Sequence, residues 1–196
     1  MLFALLSLVL SQAADLTGVK HTDPVPTEIA APVAAKLAPG GVRATANGAT
    51  VTFWWVKDLA AGSWKDVAEG TVVGAVKLDA DFRDIRGHVI KAGVYTLRYG
   101  IQPATDDHFG VSPFRDFLLV SPAAVDKDPA SPGHDGIVEL SRQTLGGKHP
   151  AVLSIDPPAA KDAPLTVYTT DLGHKSLIVE VGTLKFGIVL IGKIVT

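Results

Sequence analysis

Three groups of residues have types and spacing suited to chemistry. Asp106-Asp107-His108 puts two carboxylates and an imidazole within three residues. Carboxylate oxygen and imidazole nitrogen are donors for a divalent metal, provided that His134, His149 or Asp135 comes near. No two of the six histidines stand at a ligand spacing such as i, i+2 or i, i+4. The same tripeptide also reads as a solvated turn in which an aspartate caps backbone amides. Asp106, Asp107 and His108 are therefore the candidate metal ligands, and a divalent metal is the only cofactor the chain suggests.

The second group is Arg83, Asp84, Arg86, Arg98, Arg115 and Asp116, which holds four of the six arginines. Arginine forks bind carboxylates and phosphates with two parallel N–H donors, so Arg98 and Arg115 are candidate anion-binding residues. The competing reading is an ion-pair ladder across one sheet face. The third group is Trp54, Trp55 and Trp64, with Tyr95 and Tyr99. Flat aromatics on a sheet stack sugars, and they also fill β cores. Trp54 and Trp64 are the candidate platforms, Trp64 because its loop, Ala61-Gly-Ser-Trp-Lys-Asp66, looks exposed.

Other chemistries lack their motifs. There is no cysteine, hence no thiolate nucleophile, thiolate zinc site or disulfide scaffold. Gly-x-Ser-x-Gly and His-Glu-x-x-His are missing, and Gly146-Gly147-Lys148-His149 lacks the context of a phosphate-binding loop. A serine–histidine pair can meet only in space, so sequence does not decide it. With 18 basic and 20 acidic residues the net charge is −2, which offers no basic footprint for nucleic acid. An apolar content of 47% is too high for a disordered chain, and 196 residues suffice for one domain with a real core.

The elements that must position these groups are mostly strands. Aspartate outnumbers glutamate 16 to 4, and aspartate favours turns over helix interiors. Asn47-Gly48 between Val42–Ala46 and 49–57 is a hairpin signal. In the second of these strands Val51, Phe53 and Trp55 point one way and Thr52, Trp54 and Val56 the other. Either both faces are covered or one tryptophan is exposed. Tyr95, Leu97, Tyr99 and Ile101 alternate with Thr96, Arg98 and Gly100, as in a half-buried antiparallel strand. Further strands are expected over 71–78, 82–85, 116–121, 136–140, 151–155, 165–169, 176–181 and 186–195. Ile29, Val33 and Leu37 recur every fourth residue, and Pro39-Gly40-Gly41 follows, so 27–38 reads as one short helix. Two long segments, 102–115 and 122–135, are the loops most able to carry function.

Met1–Leu10 is uncharged and apolar, and Ser11-Gln12-Ala13 is a small-x-small cleavage pattern, so residues 1–13 read as a signal peptide. The run is too short to span a bilayer. Export without cysteine points to a bacterial periplasm or exterior. Val89-Ile-Lys-Ala-Gly-Val-Tyr-Thr-Leu97 resembles the K-A-G-x-Y-x-L strand of secreted bacterial β-sandwich proteins of unknown function. The resemblance covers nine residues and implies a sandwich and a bacterial origin, without site residues.

These readings converge on a mainly β chain, an antiparallel β-sandwich or jelly-roll-like domain over 40–196, behind the leader (1–13) and an arm with a short helix (14–39). The expected function is that of a secreted, non-enzymatic binding, accessory or assembly protein. Its partner would be a protein or a second copy, with carbohydrate as another option. Self-assembly has a motive in the polar arm and the apolar last strand, which could exchange between subunits. The alternative is a metal-dependent or carbohydrate-active enzyme using the 102–115 loop.

Overall fold

The computed structural model describes residues 16–103, 112, 114–147, 149–158 and 163–192. The expected leader, residues 1–13, lies outside them. Twelve strands are described: β1 (Leu16–His21), β2 (Leu37–Ala46), β3 (Ala49–Val56), β4 (Val72–Leu78), β5 (Phe82–Arg83), β6 (Val89–Ile90), β7 (Gly93–Ile101), β8 (Asp116–Pro122), β9 (Ala151–Asp156), β10 (Val167–Thr169), β11 (Lys175–Val181) and β12 (Leu184–Ile191). Two helices, α1 (Ala31–Ala34) and α2 (Gly133–Leu145), and a 3-10 turn at Trp64–Asp66 join them.

The mainly β, antiparallel, sandwich-like expectation holds. Ten strands form one antiparallel sheet in the order β1-β2-β3-β4-β7-β8-β9-β12-β11-β10, and β5 pairs with β6 alone. Neighbours in sequence are mostly neighbours in space, because short turns favour hairpins. Asn47 and Gly48 both take positive φ, 52° and 82°, as a two-residue hairpin turn requires. The sheet curls until its ends approach: a Cβ on Gly18 of β1 would lie 2.7 Å from Leu177 Cδ1 of β11. The result is a barrel that is nearly closed.

Its interior is a single apolar cluster drawn from β1 to β9, β11 and β12, with Leu59, Ala61 and Val67 from the β3–β4 connection. A run of aromatic contacts crosses it. Phe53 stacks on Trp55 at 5.2 Å, Trp55 meets Phe186 edge-on at 5.8 Å, and Phe186 meets Trp64 at 4.9 Å. Each such pair adds about 1 kcal/mol beyond its buried area.

The strands are apolar on both faces because the outside is also covered. Ile29, Val33 and Leu37 pack with Trp54, Val72 and Ala75 on one outer face. Ile85, Phe117, Leu119, Ile137, Val152 and Val189 pack on another. The spacing of Ile29, Val33 and Leu37 thus reports one buried face, but the helix expected over 27–38 is confined to Ala31–Ala34. Leu37 pairs with Val56, and Lys57 N–H donates to Lys36 O, so the chain is drawn into the sheet one turn after Pro32. Likewise, part of the entry arm is a strand: β1 pairs along β2.

The second correction concerns 136–140, which is helical, not a strand. Ile137 and Ser141 are the buried residues of α2. Ser141 Oγ lies 2.9 Å from Val120 O and 2.7 Å from Ala151 O, and Thr144 Oγ1 donates to Val120 O at 2.7 Å. The helix therefore serves strand carbonyls where the β8–β9 ladder ends at Val120 and Ala151. A buried serine breaks the apolar stripe that would otherwise announce a helix. No helix among the described residues is long and apolar enough to cross a membrane.

Asp156 at the end of β9 is buried, accepts a hydrogen bond from Ser176 Oγ at 2.9 Å, and interacts electrostatically with His174. Burial raises its pKa, against the lowering effects of Ser176 and then His174. Burial also lowers the pKa of His174, opposed by Asp156. A raised carboxylate contributes stability that is present when protonated and lost as pH rises through its folded value. His174 works the other way: its contribution is present above its ordinary value and lost on acidification. Asp156→Asn removes the first effect and also the opposition to the second, and both changes favour the variant at higher pH. Urea midpoints relative to the unmutated chain should therefore be higher for the variant at about pH 7.5 than at about pH 4.5. An offset independent of pH would contradict this assignment.

Candidate functional site

The loop between β8 and α2 sets the site. Its anchor is Arg98 of β7, a residue only 1% exposed. Arg98 Nε and Nη2 donate to the two oxygens of Asp126, each at 2.8 Å. Nη1 donates to Gly70 O at 2.7 Å and Ala130 O at 3.0 Å, and Nη2 also donates to Asp128 O. All five guanidinium protons are thereby used. Thr96 Oγ1 adds a bond to Asp126. Gly70, at φ 86°, lets the chain pass under this loop, since a Cβ there would fall 2.0 Å from Ser131 Oγ. Ser131 Oγ donates to Glu69 O at 2.8 Å.

This clamp brings Glu69 to the start of α2. Glu69 Oε1 accepts the Ile101 N–H at 2.8 Å and lies 2.8 Å from His134 Nδ1. A carboxylate only accepts, so Nδ1 carries the proton. Oε2 takes no hydrogen bond among the described residues.

A second polar group faces it from the β5–β6 turn. Asp84, whose side chain is fully buried, accepts the Arg86 and His88 backbone N–H groups on Oδ1, both at 2.9 Å. Its Oδ2 accepts Arg86 Nη2 at 2.8 Å and Nε at 3.2 Å. Arg86 Nη2 also reaches Pro150 O. The His88 and His149 rings stack at 5.6 Å and 19°.

Between the two groups lies a cleft of about 290 Å³. Phe117, Leu119 and Val152 of the sheet's outer face line it, with Ile85 from the β5–β6 turn and Ile137 and Val138 from α2. Glu69, His134, Arg86 and His149 supply its titratable groups, and Ser112 lines it as well. Gly100 keeps this outer face low: a Cβ there would sit 2.3 Å from Leu119 Cδ1.

The residues singled out in sequence fall in different places. Arg98 is saturated by its partners, and Arg83, Arg86, Arg98 and Arg115 form no common ladder. Arg83 Nη1 donates to Gly87 O at 3.1 Å. Arg115 is exposed, and its Nε donates to Gln102 O at 2.7 Å while Gln102 N–H donates to Arg115 O at 2.8 Å, closing the neck of the 102–115 segment. Trp54 points outward as its strand dictates, but it is buried under the arm, with Nε1 donating to Asp23 O at 3.1 Å. Trp64 is not the exposed platform its loop suggests: it is half-buried, stacked 4.9 Å from Tyr99 at 15°. A capping box between Ser63 and Asp66 turns the loop so that the ring faces the core. Asp106, Asp107 and His108 lie outside the described residues. Among the described residues no three histidine or acidic side chains converge as a metal site would need.

Glu69 is what sequence reasoning missed. Its one available signal is that it is among only four glutamates. Gln102, Pro103 and Ser112 of one long segment and His134 of the other meet at the cleft. No protein-family model, curated protein or solved structure matches this chain significantly.

Arg98 is structural, so its loss should act on stability. Arg98→Met strands the Asp126 carboxylate and should cost about 3–5 kcal/mol in urea unfolding. Arg98→Met combined with Asp126→Leu should recover part of that loss, because no charge is left unpaired. A single variant as stable as the original chain would show that the ion pair carries no such weight.

Proposed function

We propose that this chain is a non-enzymatic binding protein, exported to the periplasm or exterior of a bacterium, which holds a small ligand in the cleft beside α2. One observation carries the reading: a concave, apolar-lined space with a few fixed polar groups at its edge, beside two long segments. Ligand sites have this composition, and 290 Å³ is near the lower end of their usual size. The acidic and basic groups are held by their own neighbours, as suits recognition. The apolar leader over 1–13 and the absence of cysteine support export. Assembly by strand exchange has less support, since β12 is hydrogen-bonded to both β11 and β9.

Val138 lies half-exposed on α2 and lines the cleft, so a larger side chain there fills space without touching the barrel interior. Ligand-observed NMR with a set of small amphipathic fragments should show binding to the original chain. Val138→Trp, with an unchanged unfolding midpoint, should abolish it. Fragments that bind both proteins equally, or neither, would contradict the cleft reading.

A further inference from the structure

The charges around the cleft suggest what kind of ligand it takes. Arg86 brings one positive charge, but the buried Asp84 carboxylate meets it with two hydrogen bonds on one oxygen. Those charges cancel locally, and Arg86 is further committed to Pro150 O. At the other end Glu69 faces no Lys or Arg among the described ion pairs; its partner is His134. That histidine spends its Nδ1 proton on Oε1, the oxygen already serving the Ile101 amide. Among the described residues Oε2 takes no hydrogen bond. The N-terminal turn of α2 adds partial positive charge near His134, but Asp135 in that same turn offsets it. Glu69 is thus a carboxylate that no lysine or arginine meets among the described residues, and it stands beside an apolar wall of Phe117, Leu119 and Val152.

We propose that the cleft binds a small primary amine with an apolar body, its ammonium on Glu69 Oε2 and its body against Phe117, Leu119 and Val152. The inference rests on the cleft reading above and adds the ligand class. An ammonium supplies what Glu69 lacks, a charged donor, and charge-assisted bonds are about twice as strong as neutral ones. A carboxylate ligand would meet Glu69 as a like charge, while Arg86 is already neutralised. A neutral alcohol offers Oε2 a hydrogen bond without the opposite charge, beside the same apolar contact.

The test uses benzylamine, benzyl alcohol and benzoate, three probes with the same ring and different head groups. Titration calorimetry on the original chain should show benzylamine binding about tenfold more tightly than either of the others. Glu69→Gln keeps an oxygen to accept from Ile101 and His134, and it replaces the charged Oε2 acceptor with a neutral NH2 donor. It should weaken benzylamine about tenfold and change benzyl alcohol far less, since a hydroxyl both donates to Oε2 and accepts from the NH2 that replaces it. Three equal affinities, a preference for benzoate, or a Glu69→Gln variant that binds benzylamine as before would overturn the inference. Each of those results leaves the cleft reading standing if Val138→Trp still abolishes binding. Should the amphipathic fragments themselves fail to bind, the cleft reading falls and this inference with it. The comparison of probes on the unmutated chain decides the matter even if Glu69→Gln folds poorly.

Discussion

The segment that leads into α2, on one side of the cleft, is held to the barrel by one buried guanidinium. Arg98 sits on the outer face of β7, where its neighbours along the strand face are Thr96 and Gly100. Removing a guanidinium and a carboxylate from water costs several kcal/mol per ion, and only near-complete hydrogen bonding offsets this. Here the offset is complete on the arginine side, with Asp126, Asp128, Ala130 and Gly70 taking its five protons. What the pair supplies is position. Segment 122–132 has little apolar surface of its own to bury, and the pair fixes it against the sheet. α2 begins directly after it, and Glu69 stands beside Gly70, one of the acceptors.

The barrel explains why such a clamp is needed. A curled sheet with an apolar interior solves half of the burial problem, and strands apolar on both faces leave an outer surface to cover. The chain covers it piecemeal: α1 and the arm over Trp54, Ile85 over β12 and α2 over β8 and β9. The cleft is the gap where the cover provided by α2 and the cover provided by the β5–β6 turn do not meet. Its polar edge is the set of side chains that organise those two covering pieces. The same residues therefore fold the periphery and furnish the recognition groups.

Local chemistry was legible in the sequence, and partnership across the chain was not. The Asn47-Gly48 turn, the alternation through Tyr95 to Ile101 and the inward and outward tryptophans follow from period-two geometry within a few residues. Residues 27–38 and 136–140 were misread for opposite reasons. In the first, apolar residues spaced like a helix are pulled into strand pairing at Leu37. In the second, Ser141 hides a helical face because its hydroxyl serves strand carbonyls. Gly146, a left-handed helix stop, and Arg142 in the last turn were the usable signals. Trp64 is half-buried by Tyr99 and by Phe186, far along the chain. Arg98 has Asp84 and Asp116 nearer in sequence, yet pairs with Asp126. Glu69 acquires its role only when the clamp brings it to His134.

The central claim is that the Arg98–Asp126 pair holds the covering segment, and so the cleft, onto a barrel that stands without it. Amide hydrogen exchange on Asp126→Asn, followed residue by residue under native conditions, tests it most directly. The account predicts that protection falls furthest across α2 and at the Ile101 amide bonded to Glu69, with a smaller fall across β2, β3 and β11. Equal loss of protection throughout the barrel, or an α2 that exchanges as slowly as before, would contradict it.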